Sequence, residues 1–366
     1  MPQIQIMIVD DSLVVRKVLT NVLSSDPDLA IAGWASSGRL ALAKLQTLRP
    51  DIILLDIEMP EMNGLETIPG IRKIFPSVPI IMFSTLTEHG AEATLDALAL
   101  GASDYVAKPS NHDMAATSEA IQRDLVPKIK ALCHFPVRVQ NTVTGESRPA
   151  APTPRPEIRF HSSHIRSAQL KIVAIGVSTG GPDALAKLLP SFPANFPLPV
   201  VIAQHMPAVF TMLLAKRLAT KCALPVRECQ PGDLLGPSCV WIAPGDYHMV
   251  VRQEKNRMRL HTHQGPRENF CRPSVDVLFR SVASVYGASS LGVILTGMGQ
   301  DGLKGCEVLS AAGASVIVQD EASSVVWGMP GFVARAGLAE KILPLDQIYG
   351  EILRRVAAQP SLQLTH

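Results

Sequence analysis

Short apolar runs alternate with helical periodicity along the first third of the chain. The apolar runs are rich in β-branched residues and cover residues 4–9, 51–55 and 79–83. Between them, Val14–Leu23 and Leu40–Leu48 place apolar residues at helical spacing. Strands that alternate with helices predict βαβ units, a parallel sheet and helices on both of its faces. We expect this first unit to end near Leu132.

A second α/β pattern begins at Gln169. Its strand-like runs, each followed by a Gly- or Pro-marked turn and a helical segment, are residues 171–177, 199–204 and 291–297. Residues 240–251 and 257–263 are typical of antiparallel strands, and we place their turn at Pro244-Gly245-Asp246. The fold class is therefore α/β, with two doubly wound parallel-sheet domains and an antiparallel hairpin in the second.

Between these patterns the apolar periodicity disappears. Residues 134–168 contain several prolines among Ser, Thr, Arg and Glu, which favours an extended, partly polyproline-like linker. An ordered surface loop is the alternative, although loops of this length are uncommon inside a domain. We expect domains at residues 1–133 and 169–358, joined by this linker.

Composition narrows the class of protein. A length of 366 residues suits two domains. The formal charge of +2 indicates neither a nucleic-acid binder nor a membrane-surface binder. The six cysteines form no CxxC pair, in keeping with a reducing compartment. Because we find no basic leader and no long apolar segment, we expect a cytoplasmic protein without membrane insertion.

Polar residues follow the strands of the first domain. They are Asp10, Asp11, Asp56, Ser84 and Lys108. Ligands of parallel sheets bind at the carboxyl ends of the strands, and clustered carboxylates become favourable when a hard cation such as Mg²⁺ joins them. An aspartate beside a cation can attack a phosphoryl group, with a lysine as countercharge and a serine as hydroxyl donor.

Each residue alone has a simpler interpretation. Asp10-Asp11 suits a helix N-cap, and Asp56 suits a turn. Five polar groups at the ends of separate strands favour a phosphate and cation site instead.

The motifs VDDS, LLDIEMPEMNG and DYVAKP, together with Ser84, make residues 4–125 resemble a response-regulator receiver domain, a flavodoxin-like five-stranded fold. The resemblance implies that a histidine kinase phosphorylates Asp56. It also implies that Asp11, Asp56 and the backbone carbonyl of Glu58 hold Mg²⁺. Ser84 and Tyr105 would be the switch pair, and Lys108 would bind the phosphate.

The second domain offers a candidate nucleophile. Ser178 follows a strand-like run and precedes a Gly-rich turn and a helix, where free backbone N–H groups favour developing negative charge. GVSTG also fits the GxSxG elbow of α/β-hydrolases, but there the acid precedes the histidine. Here His205 comes before Asp301, which argues against that fold while leaving a triad possible.

In such a triad Ser178 attacks an acyl carbon and His205 takes its proton. Asp301 orients the imidazole, and the backbone N–H of Met298 helps to bind the oxyanion.

Alternatives remain for each group. A serine in a Gly-rich turn often binds phosphate or caps a helix, although no P-loop lysine follows here. His205 alone suits a satisfied polar residue, and Asp301 alone suits a helix N-cap. Rival bases include His161, His164, His248, His261 and His263.

The motifs GVSTGGPDAL, AQHMP, IAPGDYHM, RPSVDVLFRS and LTGMGQDG make residues 169–358 resemble the catalytic domain of the chemotaxis protein-glutamate methylesterases. The resemblance implies the triad Ser178, His205 and Asp301, with Met298 in the oxyanion hole. It implies hydrolysis of glutamate methyl esters, and deamidation of glutamines, on the cytoplasmic helices of chemoreceptors. No cofactor is expected for this reaction.

Control is expected to be steric, with the unphosphorylated receiver packed over the Ser178 cleft. Arg272 and the Pro-Gly-Asp segment are candidates for the substrate groove. Two rival functions stay open: a non-enzymatic signalling adaptor, and a triad hydrolase for another ester or amide.

Overall fold

The computed structural model describes residues 3–85, 87–108, 114–133 and 168–357. The predicted linker 134–168 lies outside the described residues except for residue 168. Two parallel sheets flank this gap.

The first sheet has five strands in the order β2-β1-β3-β4-β5, and every neighbouring pair is parallel. The strands are β1 (Ile4–Val9), β2 (Leu29–Ala35), β3 (Ile52–Asp56), β4 (Ile80–Ser84) and β5 (Asp104–Ala107). The strands β3 and β4 are buried throughout, as their continuous apolar runs require. The doubly wound fold predicted for this half is confirmed.

The helices that cover this sheet are α1 (Leu13–Ser24), α2 (Gly38–Lys44), α3 (Gly64–Ile74), α4 (Glu88–Ala99), α5 (Met114–Asp124) and α6 (Val126–Leu132). Helix α1 begins after Ser12, whose side chain accepts a hydrogen bond from the backbone N–H of Val15. Ser12 is therefore the N-cap, and Asp10 and Asp11 remain outside the helix.

The second sheet has seven parallel strands in the order β14-β13-β12-β6-β7-β9-β8. They are β6 (Ile172–Val177), β7 (Val200–Gln204), β8 (Val226–Glu228), β9 (Val240–Ile242), β12 (Ser290–Ile294), β13 (Ser315–Gln319) and β14 (Lys341–Leu343). Strand β6 lies between β7 and β12, so the loops that follow these three strands meet at one edge of the sheet.

An antiparallel hairpin stands apart from this sheet, formed by β10 (His248–Glu254) and β11 (Arg257–His263). Its turn is at residues 255–256. The turn predicted at Pro244-Gly245-Asp246 is wrong, because that segment connects β9 to β10 and β9 pairs in parallel with β7 and β8.

The helices of this half are α7 (Gly181–Leu188), α8 (Ala208–Ala219), α9 (Val275–Tyr286), α10 (Leu303–Ala311), α11 (Met329–Arg335) and α12 (Leu345–Ala357). Short 3₁₀ helices cover Leu189–Ser191 and Gly287–Ser289. Within the described ranges, every helix is too short or too polar to cross a lipid bilayer.

The two halves pack against each other, with α4 of the first contacting α7 and α8 of the second. The Tyr105 ring stacks on Phe210, with centroids 4.5 Å apart and ring planes 11° from parallel. Arg217 on α8 forms an ion pair with Asp96 on α4. The first half is therefore docked on the second in this structure.

Candidate active site and acidic site

The acidic site lies where β1, β3 and β5 end. Asp10 and Asp56 are buried, and Lys108 reaches both of them. Its Nζ lies 3.1 Å from Oδ2 of Asp10 and 2.8 Å from Oδ2 of Asp56. The structure thus brings together three of the groups that the sequence places at separate strand ends.

This cluster is suited to a hard cation. Carboxylate oxygens of Asp10, Asp11 and Asp56 lie within 4.8 Å of one another, and oxygen atoms are the ligands that Mg²⁺ prefers. Asp11 is exposed, so a cation would reach the site from solvent. The exposed Glu58 follows β3, and its backbone N–H lies 3.4 Å from Oδ1 of Asp56.

Burial changes the acidity of this site. It raises the pKa of Asp56 to about 6, although the hydrogen bond from Lys108 opposes the shift. Burial alone would lower the pKa of Lys108, but its contacts with Asp56 and Asp10 raise it. Asp56 is therefore a poorly solvated carboxylate whose charge depends on one flexible cation.

The two predicted switch residues lie apart from the carboxylates. The Ser84 hydroxyl is 3.2 Å from the carbonyl oxygen of Gly90 and 3.3 Å from that of Thr85, near the start of α4. Tyr105 is buried against Phe210 in the interface between the two halves. A rearrangement of Tyr105 would therefore act on the docked surface directly.

The second site lies at the carboxyl ends of β6, β7 and β12. Ser178 follows β6 and His205 follows β7, while Asp301 lies in the loop after β12. Nε2 of His205 is 2.8 Å from Oδ2 of Asp301. This contact joins two residues that are 96 positions apart in the sequence.

The rival histidines have other neighbours. His248 pairs with the carbonyl oxygen of Pro266 at 2.9 Å, and Nε2 of His261 is 2.7 Å from Glu254. His161 and His164 lie outside the described residues. Among the histidines that the structure describes, His205 is the one hydrogen-bonded to Asp301.

Five groups donate hydrogen bonds to the buried Asp301 carboxylate at distances of 2.6–3.2 Å: the side chains of His205, Asn269 and Ser274 and the backbone N–H groups of Val275 and Asp276. The two backbone donors form the first turn of α9, where the helix dipole favours an anion. Asp301 therefore interacts with the N-terminus of α9, whereas its own helix α10 begins after Gly302.

Asp276 makes the reciprocal contact. Its Oδ1 accepts hydrogen bonds from the backbone N–H groups of Gly302 at 3.0 Å and Gly305 at 2.6 Å, at the start of α10. Helix α9 thus supplies a carboxylate to the N-terminus of α10, and the loop before α10 supplies one to the N-terminus of α9. This exchange fixes the loop that carries Asp301.

The charges of the pair follow from these contacts. Burial would raise the pKa of Asp301, but the hydrogen bonds from His205, Val275 and Ser274 hold it well below its usual range. Burial alone would lower the pKa of His205, but the Cys271 sulfur and the Asp301 carboxylate raise it. Asp301 therefore stays ionised and stabilises the protonated imidazole.

Hydrogen bonds hold the backbone of Ser178, whereas its hydroxyl has no hydrogen-bond partner among the described residues. The Ser178 N–H donates to Thr296 at 3.0 Å, and its carbonyl oxygen accepts from Gln204 at 3.0 Å. Within the described part of the chain, the Ser178 hydroxyl makes no hydrogen bond. Nδ1 of His205 instead lies 3.4 Å from Sγ of Cys271. The structure therefore forms the His–Asp pair and leaves the Ser–His contact unmade.

The turn at Gly297–Gly299 lies against Ser178. A Cβ atom at Gly297 would stand 2.9 Å from the Ser178 Cβ, so only glycine permits this approach. The backbone N–H groups of Met298 and Thr179 have no acceptor among the described residues. Backbone N–H groups without an acceptor beside a nucleophile are candidates for binding an oxyanion.

Sequence reasoning missed four polar contacts, which are made by Cys271, Asn269 and Thr179. Cys271 touches His205, Asn269 donates to Asp301 and Asp276 at 3.0 and 2.9 Å, and the Thr179 hydroxyl donates to Asp104 of the first half at 2.8 Å. The position of Thr179 beside Ser178, and the polar run before α9, were the available signals. Neither indicates which distant residue each side chain meets.

His205, Cys271 and Asp301 also place three ligand atoms within 4.8 Å of one another. Both oxygens of Asp301 already accept hydrogen bonds. That arrangement favours a carboxylate–imidazole pair over a metal site.

Comparisons with known proteins match both halves. The CheB methylesterase family model matches residues 173–352, and the response regulator receiver domain model matches residues 6–118. The structure is similar to the CheB methylesterase catalytic domain of Thermotoga maritima, with 39% identity and a TM-score of 0.50. That comparison covers 51% of this chain and 99% of the other.

Two relatives are similar along nearly the whole length. Both are named protein-glutamate methylesterase/protein-glutamine glutaminase. The protein from Trichodesmium erythraeum is 50% identical over 97% of this chain and 100% of its own length. The protein from a Nocardioides species is 47% identical over 99% of this chain and 98% of its own. The chain therefore belongs to the protein-glutamate methylesterase/protein-glutamine glutaminase family, with a response regulator receiver domain ahead of its CheB methylesterase domain.

Proposed function

We propose that this chain is a phosphorylation-activated hydrolase that removes methyl esters from glutamate side chains of chemoreceptors and deamidates specific glutamines at such positions. The observation that carries the proposal is the His205–Asp301 pair beside Ser178, in a chain similar from end to end to proteins named for these activities. We assign residues 1–133 to the receiver, 134–168 to the linker and 169–358 to the catalytic domain.

In the mechanism, the Ser178 hydroxyl attacks the ester carbon while His205 accepts its proton. The oxyanion receives hydrogen bonds from the Met298 N–H and, in our assignment, from the Thr179 N–H. His205 then protonates the methoxide, so that methanol leaves and an acyl-enzyme remains. Water, deprotonated by His205, hydrolyses the acyl-enzyme and returns the glutamate and Ser178. With an amide substrate the leaving group is ammonia.

The Ser–His contact must form before this reaction starts. We expect it to form when substrate binds, because catalytic hydrogen bonds often tighten only in the complex with substrate. Asp301 does not have to move, since five donors already hold it.

In the receiver, Asp56 accepts the phosphoryl group from a chemotaxis histidine kinase. Asp11, Asp56 and the Glu58 carbonyl would hold Mg²⁺, which when bound offsets the negative charge of the carboxylates and phosphate. The donor set fits that cation, because the carboxylates of Asp11 and Asp56 already lie close together. Lys108 is placed to transfer its ion pair from Asp56 to the phosphate, and Ser84 and Tyr105 would then rearrange.

Activation would release the receiver from the catalytic loops. Val326 belongs to a hydrophobic cluster otherwise made of receiver residues, and Met298 and Val325 pack against that cluster. Thr179, next to Ser178, is hydrogen-bonded to Asp104 of the receiver. Asp104 immediately precedes Tyr105. A change in the position of Tyr105 would therefore disturb the hydrogen bond between Asp104 and Thr179 in the active-site loop.

We place the reaction in the cytoplasm, where the kinase and the receptor helices would meet this enzyme. The test is methanol release from methylated receptor cytoplasmic fragments, with and without a small phosphodonor and Mg²⁺. We expect release to rise with the phosphodonor.

Ser178→Ala should lower turnover by at least about three orders of magnitude, while the exposed Ser191→Ala should behave as wild type. Absence of methanol release from wild type that still takes phosphate on Asp56 would favour a signalling adaptor or a hydrolase for another ester.

A further inference from the structure

A tight turn at residues 268–271 borders the catalytic pair. The backbones of Glu268 and Cys271 exchange two hydrogen bonds, at 3.1 and 2.8 Å. The two residues between them, Asn269 and Phe270, have φ angles of 49° and 63°. Positive φ at both central positions of a two-residue loop defines a type I′ turn.

Phenylalanine is an unfavourable choice for the second position of this turn. Type I′ turns strongly prefer Asn-Gly, because a bulky side chain at positive φ is strained. Phe270 is also 91% exposed, the highest value among the large hydrophobic residues that the structure describes as exposed. Neither the turn nor the hydrophobic core therefore explains a phenyl ring here.

The other three residues of the turn are each held in place. Glu268 forms an ion pair with Arg280 at 2.6 Å, Asn269 donates to Asp301 at 3.0 Å, and Cys271 lies 3.4 Å from His205. Phe270 thus lies between Asn269, which contacts Asp301, and Cys271, which contacts His205.

The ring is exposed in the structure in which the receiver is docked. The described residues of the receiver therefore leave the ring uncovered and open to a side chain of a bound substrate. A polypeptide that delivers an ester to Ser178 has to come close to His205, and the turn that carries Phe270 contacts both His205 and Asp301.

We propose that Phe270 is a substrate-positioning residue that contacts an apolar side chain on the helix carrying the target glutamate. Residues three or four positions apart share one face of a helix, so an apolar residue one turn from the ester contacts Phe270 while the ester enters the site. This inference rests on the proposed function and identifies a determinant of its protein substrate.

The test is Phe270→Gly in the full-length, phosphodonor-activated protein. We expect KM for methylated receptor fragments to rise roughly tenfold, equivalent to about 1.4 kcal/mol, with kcat unchanged, because the contact serves binding alone. Hydrolysis of a small ester, N-acetylglutamate γ-methyl ester, should not change. The melting temperature should stay the same or rise, because glycine suits the turn.

Two further variants complete the experiment. Phe270→Leu keeps an apolar side chain and should restore most of the affinity for the receptor fragment. Leu353→Ala removes an apolar side chain that is 39% exposed on α12, and should leave KM at the wild-type value.

A wild-type KM in Phe270→Gly would overturn the inference, as would an equal loss on the small ester, which would indicate a damaged catalytic pair. If the wild-type enzyme hydrolyses neither substrate, the proposed function itself fails, and the role of Phe270 fails with it.

Discussion

The receiver site and the esterase site both place a buried aspartate at the carboxyl end of a parallel sheet, but they neutralise it differently. Asp56 is balanced by one flexible side chain, Lys108, and burial raises its pKa to about 6. Asp301 is balanced by fixed donors, including the first turn of α9, and its pKa lies well below the usual range.

This difference separates two uses of a carboxylate. A charge held by a mobile cation can be exchanged for another ligand, which suits an aspartate that must react with phosphate. A charge held by backbone donors cannot be exchanged without unfolding the start of a helix, which suits an aspartate that only orients a base. The contacts of the two aspartates thus agree with the proposed roles, covalent modification for Asp56 and orientation of a base for Asp301.

The strongest test of the comparison is Asp301→Asn. The change removes the charge that stabilises protonated His205, and we expect turnover to fall about a thousandfold or more, as it does when serine proteases lose this charge. The carboxylate raises the pKa of His205. Its loss should therefore move the pH at which kcat/KM rises towards lower values. Methanol release across a pH series measures both effects.

The matched control is Asp346→Asn, in the first turn of α12, which should leave the rate and the pH profile unchanged. A loss smaller than about tenfold in Asp301→Asn would contradict the role given to the fixed carboxylate.

A smaller effect is expected at the contact between the two sites. Asp104→Ala removes the buried hydrogen bond to Thr179 and the ion pair with Lys128. The free energy of docking the receiver should become less favourable by on the order of 1–2 kcal/mol. Basal methanol release without phosphodonor should then rise about tenfold.

Asp104→Asn can still accept the Thr179 hydrogen bond and should raise the basal rate less. The exposed Asp124→Ala, whose carboxylate pairs with Arg123 on the surface, should not change it. Equal basal rates in all three variants would show that this contact does not restrain the enzyme.

The last effect is on the free energy of unfolding and leaves turnover aside. Since the pKa of Asp56 is about 6 when folded and about 3.9 when unfolded, the folded state favours its protonated form. Stability is therefore lost as the pH rises from about 4 to 6. Asp56→Asn should stabilise the receiver by about 2–3 kcal/mol at pH 7.5 and by less at pH 5.

Thermal unfolding of the full-length variant and wild type at both pH values measures this difference. A gain of the same size at pH 5 and pH 7.5 would show that Asp56 burial does not explain it.

Much of the fold followed from local patterns. Continuous apolar runs identified the central strands of both sheets, because strands buried on both faces carry no polar alternation. The hairpin turn was misplaced because Pro-Gly-Asp is a strong turn signal, whereas the real turn at residues 255–256 takes Lys255 at a φ of 54°. Because β9 pairs in parallel with β7 and β8, it is not a strand of the hairpin, and the hairpin turn lies between β10 and β11.

The sequence by itself determined the kinds of chemistry and their approximate location. Carboxylates, a lysine, a serine and a histidine follow strands, and parallel strands bring their ends together. Only the tertiary structure decided how each charge is balanced, that Ser178 is not yet bonded to His205, and that Thr179 is tied to Asp104. The physical reason is that a pKa or a hydrogen bond depends on burial and on neighbours distant in sequence, such as the 75 positions that separate Asp104 from Thr179.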